Sequence, residues 1–230
     1  MYHIVNNMVS TKDELIQKVF PNIARNYKNH QWLSARAILA STNYDVNAIN
    51  LSIQNGIPGE ATTYKSLDTV MTQDEVVNYP TELLNSLDFP GMRPHILTLK
   101  IGVPIILRNM NPPRLCNGSR LSVKKTMNNV IEGTILNRKL KGEDVLLPRI
   151  PMIPTDMPFQ FKRLQFPVRL AFAMTINKAQ GQSLQVCGLD MENPCFSHGQ
   201  LYVASSRAGK PSGIYSSTHQ TDKHMTKFQS

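Results

Sequence analysis

Residues 36–56, "RAILASTNYDVNAINLSIQNG", decide the fold. "RAILAST" (36–42) is a compact apolar run of strand length. Asn43 then stands where an N-cap would, ahead of Val46, Ile49 and Ile53 at helical spacing, and Asn55-Gly56 forms a helix stop. A strand that turns directly into an amphipathic helix is the building block of α/β folds. The pattern returns late in the chain. "LAFAM" (170–174) is apolar, "QVCGLDM" (185–191) is a strand candidate ended by Asn193-Pro194, and "SHGQLYVASSRA" (197–208) reads as a helix with Leu201 and Tyr202 against Ser205.

Ahead of this, Thr11-Lys12-Asp13-Glu14 has the form of a capping box, and Leu15, Ile16, Val19 and Phe20 continue a short helix until Pro21. The middle of the chain changes character. Residues 57–94 are punctuated by Pro58, Gly59, Pro80, Pro90, Gly91 and Pro94, although "TTYKSLDTV" (62–70) has β-type composition. "HILTLKIGVPIILRNM" (95–110) holds two β-rich pieces broken at Gly102 and Pro104. In "RLSVKKTM" (120–127), Leu121, Val123, Lys125 and Met127 fall on one face; Asn128-Asn129 turns the chain into "VIEGTIL" (130–136), and "VLLPRIPMI" and "FQFKRLQFPV" follow. Short, closely spaced strands rich in Lys and Arg predict a small β-barrel over 115–167.

The 230 residues carry a net charge of +9. The distribution says more than the total: residues 1–89 hold six Lys/Arg against nine Asp/Glu, while residues 90–183 hold fifteen against four. A concentrated basic region fits a polyanion partner, because each phosphate neutralised releases counterions. Charge alone leaves a solvated basic face equally open. Three cysteines without a C-x-x-C pair argue against both a disulfide framework and a zinc site. No run of eighteen apolar residues and no basic-then-apolar leader is present, so the expectation is a soluble intracellular protein without a membrane partner.

Two stretches carry chemistry. "TINKAQGQS" (175–183) offers amides, hydroxyls, a lysine and a glycine, a set suited to phosphate oxygens, yet by composition it also reads as a solvated helix end with a C-cap glycine. "YVASSRAGK" (202–210) places Arg207 beside two serines. By spacing alone Arg207 reads as a cap on helix carbonyls; its functional reading is an arginine finger on a γ-phosphoryl group. Asp74-Glu75 lacks the apolar strand that would lead into a metal-binding acidic pair, and none of the six histidines shares a ligand spacing with another donor; His95 and His198 border the informative segments. No G-x-x-x-x-G-K-[ST] occurs in the sequence.

Taken together, "ILASTNYDVNAIN", "LTLKIGVPIILRNMNPPRLCNGSRL", "LAFAMTINKAQGQSL" and "HGQLYVASSRAGK", in this order and spacing, resemble the C-terminal half of Pif-type DNA helicases, particularly those carried by Helitron transposons. The resemblance runs from about residue 30 to 210. It implies an α/β fold, the second of two RecA-like lobes that sandwich ATP, with a small β-barrel inserted. The implied organisation is a helical lead-in at 1–35, the lobe at 36–114 and 168–210, the barrel at 115–167 and a polar, disordered tail at 211–230.

By resemblance, Thr42 and Asn43 belong to helicase motif four, "TINKAQGQS" to motif five and "YVASSR" to motif six. Thr175, Asn177 and Lys178, with Thr42 and Asn43, would then contact DNA; Gln180, Gly181 and Gln182 would face ATP; Arg207 would be the catalytic finger. The basic β region would wall a single-strand channel. ATP and Mg2+ are the implied cofactors, and single-stranded DNA and a P-loop lobe, in cis or in trans, the implied partners. The Walker lysine, the magnesium-binding Asp-Glu pair and the sensor glutamine belong to the first lobe, and none is found here, so this chain by itself is expected to hydrolyse negligible ATP. A five-prime to three-prime polarity and a nuclear location follow from the same resemblance.

Two departures stand out. Motif five often carries His where this chain has Asn177 and Ser where it has Ala179, and "GIYSSTHQTDKHMTKFQS" matches poorly the β-strand that follows motif six, as a shortened coding frame or a decaying transposon copy would. The alternative functions are a non-enzymatic single-strand-binding module and an inactive transposon remnant. Stacking platforms for the former would have to come chiefly from Phe159, Phe161 and Phe166.

Overall fold

The computed structural model describes residues 7–71, 79–87, 92–107, 115, 118–137, 140–154, 159–179, 182–193, 206–207 and 210–217. The chain divides into two compact units, residues 1–58 with 170–230, and residues 59–169. The first unit opens with β1 (Met8–Val9), α1 (Lys12–Val19), α2 (Ile23–Asn26), α3 (His30–Ser34), β2 (Arg36–Ala40) and α4 (Asn43–Asn55). The second unit contains β3 (Thr62–Lys65), β4 (Leu67–Val70), α5 (Thr81–Ser86), β5 (Ile96–Leu99), β6 (Pro104–Leu107), β7 (Arg120–Thr126), β8 (Val130–Ile135), β9 (Asp144–Pro148), β10 (Ile150–Met152) and β11 (Phe161–Gln165), with β12 (Val168–Leu170) at the border. The chain returns to the first unit for β13 (Ala173–Thr175), a 3-10 turn at Ile176–Ala179, β14 (Val186–Asp190), a 3-10 turn at Pro211–Gly213, and β15 (Ile214–Ser217).

The first unit is built on a parallel sheet of five strands in the order β1-β15-β14-β2-β13. The central strands β2 and β14 are mostly apolar and buried on both faces, as the covered strands of a parallel sheet require. Ala37, Leu39, Cys187, Leu189 and Ile214 pack with Met174, Ile176, Ala179 and Leu184 into one buried cluster. Toward α1, Gly188 is where the helix meets the sheet: an added Cβ there would lie 2.8 Å from Val19 and 3.0 Å from Ile38. Thr11 caps α1 by accepting from the Glu14 N–H, and Glu14 reaches back to the Ser10 N–H, one residue earlier than a strict capping box. Asn50, buried on α4, bonds both the N–H and the C=O of Ala173 (2.9 and 3.0 Å) and so occupies the backbone of the sheet's last strand.

Two expectations change here. The N-cap of α4 is Thr42, not Asn43, because the Thr42 hydroxyl accepts from the Asp45 N–H at 3.1 Å and Asn43 becomes the first helical residue. Residues 214–217, expected within a disordered tail, form β15 between β1 and β14. Backbone pairing on both edges supplies what composition lacked: Ser216 and Ser217 are buried, and Ser217 Oγ donates to Asp190 at 3.2 Å. Residues 218–230 lie outside the described residues, as do Asp74-Glu75, His198 and all but Ser206 and Arg207 of the helix expected at 197–208; those two residues form a turn.

The second unit holds antiparallel ladders: β12-β6-β7-β8-β9, β10-β11-β4 and β3-β5. Among the described residues these ladders are open rather than closed into one barrel, and the unit begins at 59, so the expected barrel start at 115 falls inside it. A bulge at Lys124 interrupts the alternation of β7, so Lys125 is exposed while Leu121 and Val123 are buried. The extra residue is used: Lys124 Nζ pairs with Glu132 at 2.8 Å and Asp144 at 2.6 Å. The core of the unit contains an ion pair. Arg163 and Asp68 are fully buried, joined through Nε (3.0 Å to each carboxylate oxygen) and Nη2 (2.7 Å). The same guanidinium donates to the carbonyls of Leu84, Leu87 and Arg93.

Candidate functional site

All strands of the first sheet run parallel, so their carboxyl ends share one edge, where open α/β sheets bind ligands. The register places Val9, Ser217, Asp190, Ala40 and Thr175 in one row across that edge. The loop carrying Thr42 and Asn43 leaves the row at Ala40, and the motif-five turn leaves it at Thr175.

In that turn the sequence pattern explains which groups face outward. Ile176 and Ala179 are buried and anchor the 3-10 turn; Asn177 is exposed and Lys178 half-buried. Gln180 and Gly181 lie outside the described residues. The Gln182 N–H closes the turn on the Ala179 carbonyl at 3.0 Å, while its buried side-chain Nε2 has no hydrogen-bond acceptor among the described residues. Two residues on, the Leu184 N–H donates to the carbonyl of Arg207 at 2.9 Å. The end of the 175–183 stretch is thereby tied to the backbone of Arg207. Arg207 is half-buried and its Nη2 donates to Ser206 Oγ at 2.9 Å.

Thr42 is placed differently from expectation. Its hydroxyl donates to Asp45 Oδ2 at 2.5 Å, so its one proton is committed within the protein and only acceptor capacity is left for a ligand. Asn43, beside it, is exposed.

Sequence reasoning missed the centre of the same edge. Lys12 Nζ lies 3.2 Å from Asp45 and 3.4 Å from Asp190, and bonds Glu192. Asn193 donates to Asp45 at 2.7 Å, and Ser41 Oγ donates to the Asn193 carbonyl at 3.4 Å. Burial by itself would lower the Lys12 ammonium, but the Glu192 hydrogen bond and the charges of Asp190 and Asp45 outweigh it and raise its pKa. Burial would likewise raise the Asp45 carboxyl, yet hydrogen bonds from Thr42, Asn193 and Lys12 hold it below the usual range. The three carboxylates are spaced as a hard cation would need, with oxygens within 4.8 Å of one another, but the position already holds an ammonium. Local sequence contained no signal for this cluster: Lys12 reads only as part of a helix start. Lys12→Met is expected to destabilise the protein by about 2–3 kcal/mol, since the Asp45 and Asp190 side chains (5 % and 1 % exposed) lose their counter-charge. A shift of the urea midpoint to lower concentration checks this; an unchanged midpoint refutes it.

The basic region also reads differently in three dimensions. Arg93, Arg120 and Arg163 are buried, so they add little to any surface that meets a polyanion. Burial brings the Arg120 guanidinium down to about 10. Lys65, Lys125, Lys141 and Lys162 are exposed. Phe159, Phe161 and Phe166 are buried, packed with Tyr79 and Tyr64. His95, flagged by its position, is a structural group: its Nδ1 lies 2.8 Å from Ser66 Oγ, which itself donates to Asp68. Cys187 is buried, which pushes its thiol up to about 12.

Comparison with known proteins agrees with the resemblance to Pif-type helicases. The family model for the DNA helicase Pif1 2B domain matches residues 82–125, which hold most of α5, β5, β6 and most of β7. The ATP-dependent DNA helicase PIF1 of Danio rerio is 30% identical over 153 residues, covering 65% of this chain and 24% of that protein. The ATP-dependent DNA helicase PIF6 of Trypanosoma brucei brucei is 28% identical over 166 residues, covering 60% of this chain and 21% of the relative. The crystal structure of Pif1 helicase from Candida albicans superposes with a TM-score of 0.60 at 23% identity, over 89% of this chain and 52% of that one. Bacteroides Pif1 in complex with ADP-AlF3 and single-stranded DNA gives 0.58 at 23% identity, over 90% and 49%. The chain thus has Pif1 helicases as homologues and as structural neighbours of α/β fold, and it spans about a quarter of the curated relatives' length. Among the described residues no helix is long and apolar enough to cross a membrane.

Proposed function

We propose that this relative of the Pif1 helicases is the second RecA-like lobe, with its inserted β unit, of an ATP-dependent DNA helicase that moves five-prime to three-prime on a single strand. Asn43, Thr175, Asn177 and Lys178 grip the strand, with Thr42 ordering the loop that presents Asn43. Gln180, Gly181 and Gln182 face the nucleotide, and Arg207 stabilises the charge that develops on the γ-phosphoryl group. The observation that carries this reading is the hydrogen bond between Leu184 and Arg207: it joins the turn that bears the DNA-facing residues to the arginine of the ATP side.

The residues fit a nucleotide only in part. The buried, acceptor-less Nε2 of Gln182 suits an oxygen-rich ligand. With no P-loop in the sequence, the phosphates would be cradled by another lobe. The described carboxylate cluster holds Lys12, so Mg2+ ligands belong with that lobe too. Alone, the chain is proposed to bind single-stranded DNA and turn over negligible ATP. The binding-module alternative loses the three platforms expected in the basic region, because Phe159, Phe161 and Phe166 are buried.

Salt dependence tests the grip. Affinity for an oligothymidine, followed by fluorescence anisotropy, is expected to fall about tenfold or more between roughly 50 and 200 mM salt, as counterion release from a few phosphates demands. An affinity that stays flat over this range refutes a charged strand-binding edge.

A further inference from the structure

Nearly every described aromatic ring is spoken for. Phe20 sets its edge against Trp32 and Phe172, Trp32 carries the Arg36 guanidinium at 4.3 Å, Tyr64 meets Phe166, and Tyr79 stacks on Phe159. Tyr27, with Lys28 beside it, and Tyr215 are half-buried. Among the described residues Tyr44 is the aromatic side chain left exposed, at 81 %. It stands in the first turn of α4, directly after the exposed Asn43, at the sheet edge where the motif-four and motif-five loops leave. Leu51, seven residues on and so on the same helix face, is 49 % exposed.

We infer that Tyr44 is a stacking platform for a nucleobase of the bound single strand, a role that rests on the strand-binding reading above and adds a base contact to it. The other groups at this edge, Asn43, Thr175, Asn177 and Lys178, are amides, a hydroxyl and an ammonium, which serve backbone oxygens. None offers a π-face. A single strand held by its backbone turns its unpaired bases to the side, and an aromatic ring beside the backbone contact captures one of them whatever its identity, because every base has a π-face. Tyrosine does this with little entropy to lose, since two torsions place the whole ring. An exposed Tyr44 contributes nothing to the core, so its removal separates base contact from folding.

The test compares two labelled strands of equal length, oligothymidine and its abasic counterpart, by fluorescence anisotropy on the whole chain. Wild type is expected to bind oligothymidine more tightly than the abasic strand. Tyr44→Ala is expected to lose about five- to a hundredfold in affinity for oligothymidine and none for the abasic strand, while Tyr44→Phe retains wild-type affinity for both. Equal binding of oligothymidine by wild type and Tyr44→Ala overturns the platform, and so does an equal loss on both strands, which would place Tyr44 in a backbone contact or in contact with another lobe. Failure of wild type to bind either strand overturns the strand-binding reading itself, and the platform with it.

Discussion

Arg207→Ala, assayed in a fusion that supplies a P-loop lobe, is expected to lose about a thousandfold or more in ATP turnover while its affinity for single-stranded DNA is unchanged. The side chain is the part that matters. Its planar fork can bond two phosphate oxygens at once and meet the charge that spreads over them as the phosphoryl group leaves. The backbone carbonyl of the same residue accepts from Leu184 at 2.9 Å, and alanine keeps that bond, so the link to the motif-five turn survives the substitution. Arg207→Lys restores a charge without the fork and is expected to recover little of the lost rate. Steady-state hydrolysis measured with saturating single strand decides the matter, and turnover at the parent rate in Arg207→Ala would remove the residue from the chemistry.

Arg163→Met is expected to cost about 3–5 kcal/mol of stability, the largest thermodynamic effect of any single substitution considered. Removing the guanidinium strands Asp68, which is fully buried, in a setting where it can neither hydrate nor find a second cation at the same distance. The usual remedy, replacing both partners by apolar groups, is expected to restore only part of the loss in Arg163→Met with Asp68→Leu. Arg163 also donates to the carbonyls of Leu84, Leu87 and Arg93, and those three bonds are lost whatever becomes of Asp68, although Leu84 still accepts from the Leu87 N–H. Urea unfolding of the single and double variants, with hydrogen exchange along β4 and β11, separates these terms. A double variant as stable as the parent would show that the three carbonyl bonds contribute nothing.

Much of the local structure was legible in residues 36–56 and their counterparts. The run "RAILA" became β2, the apolar spacing of Val46, Ile49 and Ile53 became the buried face of α4, and Gly102 and Pro104 marked the turn into β6. These signals act over a few residues, through side-chain alternation, helical periodicity and the steric demands of glycine and proline. The reading slipped by one residue at the start of α4, where Thr42 rather than the expected Asn43 caps the helix. It slipped again where one inserted residue, Lys124, shifted the alternation of β7.

The candidate site was legible as motifs but not as a place. Order along the chain joined Thr42, Asn43, Thr175, Asn177, Lys178 and Arg207 into a family pattern, while nothing in their spacing put the motif-four loop and the motif-five turn at one sheet edge. The sequence by itself determined several of the strands and helices, β2, α1 and α4 among them, the apolar face of α4, and that an α/β chain with a basic β-rich middle resembles Pif-type helicases. Tertiary structure decided what depends on partners far apart in the chain. It seated serine-rich β15 inside a sheet because backbone pairing on both sides replaces side-chain hydrophobicity. It buried three arginines that composition had counted as surface charge. It brought Lys12 to Asp45, Asp190 and Glu192, a meeting that electrostatics rewards only once the strands are side by side, and therefore one that no local pattern can announce.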